Sequence, residues 1–151
     1  MLEKGAKLEA KNKNGWTPLI CASHHGRTDV AKLLIERGAK LEANNKDGYT
    51  PLMLASRHGH TDIAKLLLEK GAKLEANNKD GWTPLIYASH HGRTDVAKLL
   101  IEKGAELEAK HKNGFTPLMS ASRYGHTDVA KLLIEKGAEL EAKCKDGFTP
   151  L

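Results

Sequence analysis

The chain has 151 residues and a formal net charge of +5, and charged residues make up 28% of it while aromatic residues make up only 5%. Lysine and glutamate are interleaved along the chain, which is typical of a solvated surface. The chain has no block of like charges, so the sequence does not indicate nucleic acid as the main partner. No apolar run is long enough to span a bilayer, so the composition excludes a chain with a transmembrane helix.

A six-residue stretch, Asp47-Gly48-Tyr49-Thr50-Pro51-Leu52, recurs every 33 residues, with small variations and without insertions. Its copies occupy 14–19, 47–52, 80–85, 113–118 and 146–151. A fixed period of this length predicts a solenoid in which each unit packs only on its neighbours. The predicted organisation is one solenoid over 1–151, with a partial repeat at 1–11, full repeats at 12–44, 45–77, 78–110 and 111–143, and a partial repeat at 144–151.

The second full repeat shows how each unit is predicted to begin. Asp47-Gly48 suits a tight turn, because glycine tolerates positive φ and aspartate favours turns. Thr50 is the expected N-cap of a short helix, and Pro51 is its first residue, where a missing N–H costs nothing. The helix is expected over 52–58, and Gly59 ends it.

The rest of the repeat predicts a second helix and a return segment. Thr61 and Asp62 open the helix, and Asp62 is placed favourably for the helix dipole. A buried stripe is predicted at the apolar positions Ile63, Leu66 and Leu67. Gly71 ends the helix, and residues 72–76 are expected to be extended. Neither helix is long enough to be stable alone in water, so the units must stack.

Further short motifs recur at the same period. Each first helix holds an Ala-Ser pair, each second helix follows a Gly with His or Arg after it, and Leu-Leu pairs and Gly-Ala steps mark the second helix and its end. With the Thr-Pro-Leu element, these motifs resemble the ankyrin repeat family over the whole chain. The resemblance implies an all-α ankyrin-repeat solenoid of helix-turn-helix units, with β-turn or hairpin fingers beside a concave face formed by the first helices.

Two positions depart from the family pattern. The family usually has histidine after Thr-Pro-Leu, where it ties neighbouring turns together, and this chain has Ile20, Met53, Ile86 and Met119. Apolar packing is therefore expected to replace that hydrogen-bond network. The family's Val-Asn-Ala ending is Leu-Glu-Ala here, with glutamate at 9, 42, 75, 108 and 141.

No residue set stands out as catalytic. Every glycine is accounted for by a turn or a cap, so no phosphate-binding loop is present, and the carboxylates recur as helix-surface residues in every unit. An active site would have to break the repeat, and nothing in the sequence does so. The sequence therefore predicts a protein that is not an enzyme and needs no cofactor.

The eight histidines are the main alternative to a purely structural interpretation. His24-His25 and His90-His91 end first helices, and His58 and His60 flank Gly59 in the second full repeat. Packed units are expected to hold such side chains roughly 10 Å apart, and an adjacent pair on a helix is expected to splay, so no metal site is predicted. Histidines near a helix C-terminus are instead expected to complement its dipole. A histidine role in metal binding or pH sensing stays open.

Positions that differ between copies indicate a partner-binding surface. The first ladder is Trp16, Tyr49, Trp82 and Phe115, with Phe148 in the last copy. The second is His24, Arg57, His90 and Arg123, and the third is His25, His58, His91 and Tyr124. The resemblance places these three ladders at positions that commonly touch ligands, and exposed aromatic and arginine side chains are typical interface anchors. A fourth ladder, Cys21, Leu54, Tyr87 and Ser120, is expected to be partly exposed.

The predicted function is a non-catalytic scaffold that binds another protein through the concave face and the finger tips. One alternative is a designed or self-stacking array, because neither end carries a polar capping repeat and complementary ends can associate head to tail. Another is weak binding of nucleic acid or another polyanion by the basic surface. Cys21 and Cys144 lie nearly four repeats apart and cannot pair within one chain, so a reducing intracellular compartment is expected.

Overall fold

The computed structural model describes residues 7–141. Cys144, Phe148, the last copy of the six-residue stretch and the expectations for the two chain ends lie outside the described residues. Within the described range the chain forms eight helices and no strand: α1 Pro18–His25, α2 Thr28–Glu36, α3 Pro51–His58, α4 Thr61–Glu69, α5 Pro84–His90, α6 Thr94–Glu102, α7 Pro117–Arg123 and α8 Thr127–Glu135.

The first helix of each pair begins as the sequence predicts. In α3, the Thr50 side chain accepts a hydrogen bond from the Met53 N–H, and Pro51 occupies the first turn. Gly59 ends the helix in the left-handed conformation, with φ of 74°, a conformation that favours glycine. The same threonine cap and proline open α1, α5 and α7.

The helices form two layers. The first helices α1, α3, α5 and α7 pack side by side, and so do the second helices α2, α4, α6 and α8, while each first helix packs on the second helix that follows it. Neighbouring first helices pack more closely than neighbouring second helices. This difference curves the stack, so its concave side is the first-helix layer. An all-α solenoid of helix-turn-helix units is therefore confirmed.

The core runs continuously between the layers. Leucine of the Thr-Pro-Leu element and alanine of the Ala-Ser pair are buried in all four helix pairs. The position that departs from the family pattern is also buried, with Ile20 and Ile86 at 0% exposure, Met53 at 1% and Met119 at 4%. Apolar packing at this position is therefore confirmed, although hydrogen bonds between units have not been lost.

Glutamates of the return segments supply one set of these hydrogen bonds. The Glu75 carboxylate accepts from the Glu106 N–H at 2.9 Å, which joins consecutive units. Equivalent bonds run from Lys40 to Glu9, from Lys73 to Glu42 and from Glu139 to Glu108. The expectation that 72–76 is extended was wrong, because the chain turns at 74–75. This turn accompanies the inter-unit bond of Glu75.

The described helices are all short. Within 7–141, no helix combines the length and the apolar character that crossing a membrane requires.

Candidate partner-binding face

The three variable ladders lie together on the concave side, and we call their positions the variable face. Its residues come from the finger bases and from the C-terminal ends of the first helices: Trp16, His24, His25, Tyr49, Arg57, His58, Trp82, His90, His91, Phe115, Arg123 and Tyr124. His25, Arg123 and Tyr124 are exposed, and the other nine are half-buried. The aromatic side chains of the finger bases are therefore not freely exposed.

The finger bases are positioned by an asparagine that the sequence interpretation missed. Asn45 Oδ1 accepts hydrogen bonds from the Asp47 and Tyr49 N–H groups, both at 3.0 Å. Asn12 and Asn78 make the same pair of bonds in their own fingers. The signal in the sequence was an asparagine four residues before the variable aromatic residue. Such side-chain bonds hold a turn in place, so they fix where the aromatic ring begins.

The first two helix pairs bring four rings into a chain of edge contacts. The centroid of the Trp16 ring lies 4.8 Å from that of His24, and His24 lies 4.4 Å from His58 of the next unit. His24 and His25 are 4.6 Å apart. The predictions of a separation near 10 Å and of splayed neighbours were both wrong. They rested on backbone spacing, whereas the side chains lean together across the joint between units.

The third and fourth helix pairs repeat this arrangement with one replacement. Trp82 lies 4.7 Å from His90, and His90 lies 4.3 Å from Tyr124, which stands where the earlier cluster has His58. His90 and His91 are 4.7 Å apart. Trp82 also stacks on His111, with centroids 5.0 Å apart and ring planes 10° apart. The ring contacts of the first two helix pairs therefore recur two units further along the stack as a second, similar cluster.

We call the contact between two neighbouring first helices a joint, and a side chain of the following unit closes each joint by a hydrogen bond. His60 Nε2 donates to the His24 carbonyl oxygen at 3.0 Å, and His126 Nε2 donates to the His90 carbonyl oxygen at 2.9 Å. At the middle joint, Arg93 Nε donates to the Arg57 carbonyl oxygen at 3.0 Å. These bonds satisfy carbonyls that a helix C-terminus leaves without an intrahelical partner. They also show that hydrogen bonds still tie neighbouring first helices together.

Four histidines of the face, His24, His58, His90 and His91, have a lowered pKa that favours the neutral form. Burial, followed by the positive charge of neighbouring histidines and of Arg57, lowers the pKa of His58 and of His91 to about 4. Burial is also the main cause that lowers the pKa of His24 and of His90. His24 Nδ1 and His58 Nε2 are buried and have no hydrogen-bond partner. A neutral ring interacts weakly with a helix dipole, so the dipole interpretation does not explain these four side chains.

The fourth ladder is mostly buried. Leu54 and Ser120 are each 1% exposed and Tyr87 is 4% exposed, so partial exposure is confirmed only for the half-buried Cys21. Tyr87 accepts a hydrogen bond from Asn78 Nδ2 at 2.7 Å, and its ring lies 5.7 Å from that of Tyr49. Burial and the hydrogen bond with Tyr49 raise the pKa of the Tyr87 hydroxyl. Tyr87 therefore supports the fingers, and Cys21 is the member of this ladder that reaches the surface.

The last unit presents the most open part of the face. The Arg123 guanidinium lies 5.5 Å from the Phe115 ring centroid and 5.6 Å from that of Tyr124. Both distances suit cation–π attraction. Tyr124 is 48% exposed, so an aromatic surface and a permanent charge are available together here.

Ring proximity does not create a metal site in the described structure. Between residues 7 and 141, no three His, Cys, Asp or Glu side chains are placed to hold a metal ion. The histidine contacts are edge-to-face or stacked ring contacts. They fit aromatic packing, in which the positive edge of one ring meets the negative face of the next.

The fold and this face define an α-helical repeat protein, in which a uniform stacking surface carries one face of varied side chains. The family comparison is more specific. Two overlapping segments, residues 1–78 and 72–144, match the family model described as Ankyrin repeats (3 copies). The chain therefore belongs to the ankyrin repeat family, as the sequence motifs predicted. Repeats of this family generally mediate protein–protein interaction and are generally non-enzymatic scaffolds. No curated protein gives a significant match.

Proposed function

We propose that this chain is a non-catalytic scaffold that binds another protein through the variable face and its fingers. The observation that supports this is the separation of uniform from varied positions. Leu19, Leu52, Leu85 and Leu118 are identical in every copy and at most 2% exposed. The three ladders vary at the finger bases and helix ends, where side-chain identity does not set the spacing between units.

The proposed contact residues are the twelve that make up the variable face. Arg57, Arg123 and Tyr124 are its main anchors in this proposal. Arginine and tyrosine are enriched among interface residues that carry most of the binding energy. The half-buried finger aromatics contribute the walls of the surface, because their rings already pack on neighbouring side chains.

The proposal also keeps the unit boundaries at 12–44, 45–77, 78–110 and 111–143. The residue that organises each finger supports this division. Asn12, Asn45 and Asn78 each stand at the first position of a unit and bond to the same two backbone N–H groups. His111 takes the equivalent place in the last unit, where its Nδ1 accepts from the Asn113 N–H at 3.0 Å.

Selection of binding peptides from a displayed random library tests this proposal. Selected peptides are expected to lose at least tenfold in affinity for a variant with Arg57→Ala, Arg123→Ala and Tyr124→Ala, about 1.4 kcal/mol or more. A control variant carries Lys65→Ala and Lys98→Ala, at exposed positions of α4 and α6. Circular dichroism and thermal unfolding establish that both variants are folded. Equal binding to all three proteins would exclude the variable face as the binding surface.

Self-stacking is a second candidate function, because the two ends of the described stack expose apolar side chains. Val30 is 52% exposed, although its counterparts Val96 and Val129 are fully buried. At the other end, Ile134 is 41% exposed, whereas Ile35 is 9% exposed. Val30 also lines a groove of about 400 Å³ beside α1. A second copy of this chain would offer each end the surface that interior units already bury.

Sedimentation velocity over a concentration series tests self-stacking. The wild-type chain is expected to grow in mean mass with concentration, and Val30→Lys is expected to abolish that growth. Lys32→Ala, an exposed neighbour on α2, is the control and should behave as the wild type. A constant monomer mass for the wild type at every concentration would exclude this candidate.

A further inference from the structure

A cluster of cationic and imidazole side chains occupies the middle of the variable face, and Arg57 is at its centre. Burial is the largest cause that lowers the pKa of His24, His58, His90 and His91, and the Arg57 guanidinium contributes to all four shifts. Arg57 lies in the last turn of α3, which packs between α1 and α5, so the last turns that hold His24 and His90 flank it. Arg93 adds a second permanent charge next to His58 and His91.

This cluster has little negative charge around it. The four first helices contain no Asp or Glu, and their last turns carry histidine or arginine. In the described part of the chain, no carboxylate forms an ion pair with Arg57 or Arg123. Two acidic groups border the cluster: Asp80 acts on Tyr87 and His111, and Asp95 shares a groove with Arg93 and His58. Neither is among the groups that shift the pKa of His24, His58, His90 or His91.

We infer that this cluster binds an acidic segment of the partner protein, whose carboxylates approach Arg57 and Arg123. The inference rests on the proposed function, since it names the kind of partner that the same face would take. An unpaired guanidinium offers a planar fork of donors that matches a carboxylate. Complementary charge at such a surface contributes specificity as well as attraction.

The imidazoles would make this binding sensitive to pH. His24 and His58 contact each other within the cluster, with ring centroids 4.4 Å apart. A neutral imidazole donates from one nitrogen only, whereas the protonated ring carries a positive charge and donates from both. A carboxylate near these rings favours the charged form and so raises its pKa. Binding therefore takes up protons, and affinity for an acidic segment increases as pH falls. Protonation is opposed by His25, Arg57 and His60 at His24, and by His24, Arg57, His60 and Arg93 at His58.

The ring geometry favours a peptide over a nucleic acid as the occupant. Trp82 stacks on His111, and His111 stacks in turn on Phe115, so these ring faces are already covered. Non-specific binding of single strands relies on free aromatic faces for base stacking. Duplex binding relies on neutralising many phosphates, and the centre of this face holds only a few permanent charges.

Fluorescence anisotropy with three synthetic peptides tests the inference. The peptides have the same length and the same apolar residues, and they carry Glu, Gln or Lys at the remaining positions. The Glu peptide is expected to bind at least tenfold more tightly than the Gln peptide, and more tightly as the pH is lowered from neutral. Arg57→Gln with Arg123→Gln should remove this preference. Lys65→Gln with Lys98→Gln makes the same change in net charge on the second-helix layer and should retain it.

Each contrary result has a definite meaning. If the arginine variant and the lysine variant weaken binding of the Glu peptide equally, the binding reflects general attraction to a basic protein. That result would overturn the inference. If the Gln peptide binds as tightly as the Glu peptide, and only the Arg57→Gln, Arg123→Gln variant loses this binding, the acidic preference is overturned. The proposed function then stands. If a random duplex binds more tightly than the Glu peptide, and this binding depends on Arg57 and Arg123, the inference is overturned and the occupant is a nucleic acid. If no synthetic peptide binds while library-selected peptides do, the acidic preference is overturned and the proposed function stands.

Discussion

At the scale of single residues, Gly26 is one of two glycines against which a histidine ring of the next unit packs closely, and Gly92 is the other. It has φ of 72°, and a Cβ added there would lie 2.6 Å from the His60 ring. Gly26→Ala therefore combines left-handed strain with displacement of His60 from the His24 carbonyl. We expect a loss of about 2–3 kcal/mol in the free energy of unfolding, measured by urea denaturation.

Gly125→Ala is the matched control for this substitution. Gly125 has nearly the same φ, 71°, but no atom lies within 4 Å of an added Cβ. It should lose only the conformational strain, about 1–2 kcal/mol. If the two variants are equally destabilised, the His60 ring does not contribute to the joint between the first two helix pairs.

The buried serines of the Ala-Ser pairs offer a route to a more stable chain. Ser89 is fully buried in α5, and its hydroxyl has no hydrogen-bond partner. Ser89→Ala removes this unsatisfied group, so we expect a gain of about 0.5–2 kcal/mol in thermal unfolding experiments. Ser122, half-buried at the same position of α7, is the control for the helix propensity of alanine. A loss of stability in Ser89→Ala would mean that the hydroxyl is satisfied in solution.

Helix caps and helix ends could be predicted from the sequence, and a bond that spans two units could not. Thr50, Pro51 and Gly59 act within one helix, and the structure confirms all three. Asn45 was missed although its bonds lie within one finger, and Glu75 was missed as a hydrogen-bond acceptor between units. Glu75 bonds to a backbone N–H 31 residues away, and only the stacked structure brings that group within reach.

At the scale of elements, the joints between first helices couple stability to pH. The folded chain holds His58 and His91 at a pKa of about 4, below the ordinary value of 6.5. As pH falls below 6.5, the unfolded chain takes up protons that the folded chain excludes, so stability is fully present above 6.5 and is lost toward pH 4. After solvent screening at half-buried rings, we expect a loss of about 1–2 kcal/mol across this window. Chemical denaturation at a series of pH values measures it.

Two glutamine substitutions locate the source of this dependence. His58→Gln should flatten the curve of unfolding free energy against pH between 6.5 and 4, because one shifted group is removed. Asn44→Gln, at an exposed position without a titratable group, should leave the slope unchanged. An unchanged slope in His58→Gln would assign the acid sensitivity to other groups.

The order of the helices could be predicted from the sequence, but the contacts at their ends could not. Caps and glycines locate each helix, and the bounds of α3 and α4 follow that prediction. The distances between histidine rings depend on how side chains lean, which unit spacing does not determine. His24 and His58 meet because their side chains lean toward each other across the joint between units. The candidate face was thus predicted as a set of positions, without its internal contacts.

At the scale of the whole molecule, the stack repeats in two ways. The helices repeat in every unit, and some contacts between units repeat in every second unit. The first and last joints are closed by His60 and His126, and the middle joint is closed by Arg93. The finger backbones follow the same alternation, with Lys46 N–H bonded to the Asn14 carbonyl and Lys112 N–H bonded to the Asp80 carbonyl. Neighbouring joints therefore alternate in the side chain that closes them.

Nearest-neighbour packing makes the effect of a core substitution depend on its place in the stack. Leu19 and Leu85 are equivalent residues, and each is 1% exposed. Replacing either by alanine should cost about 2–5 kcal/mol locally. However, α5 packs on first helices at both sides, whereas α1 packs on α3 alone among the described first helices. A weakened middle unit therefore uncouples both flanks, while a weakened end unit can open by itself.

Hydrogen exchange read by mass spectrometry separates these cases. Leu85→Ala should lower protection from α3 through α8, because the loss reaches both neighbouring pairs. Leu19→Ala should lower protection mainly in α1 and α2 and leave α5 to α8 close to the wild type. Urea unfolding of Leu19→Ala should then show an early phase that Leu85→Ala lacks. An equal loss of protection in all eight helices of Leu19→Ala would mean that the described stack unfolds as one cooperative block. The joints would then be stronger than the units they connect.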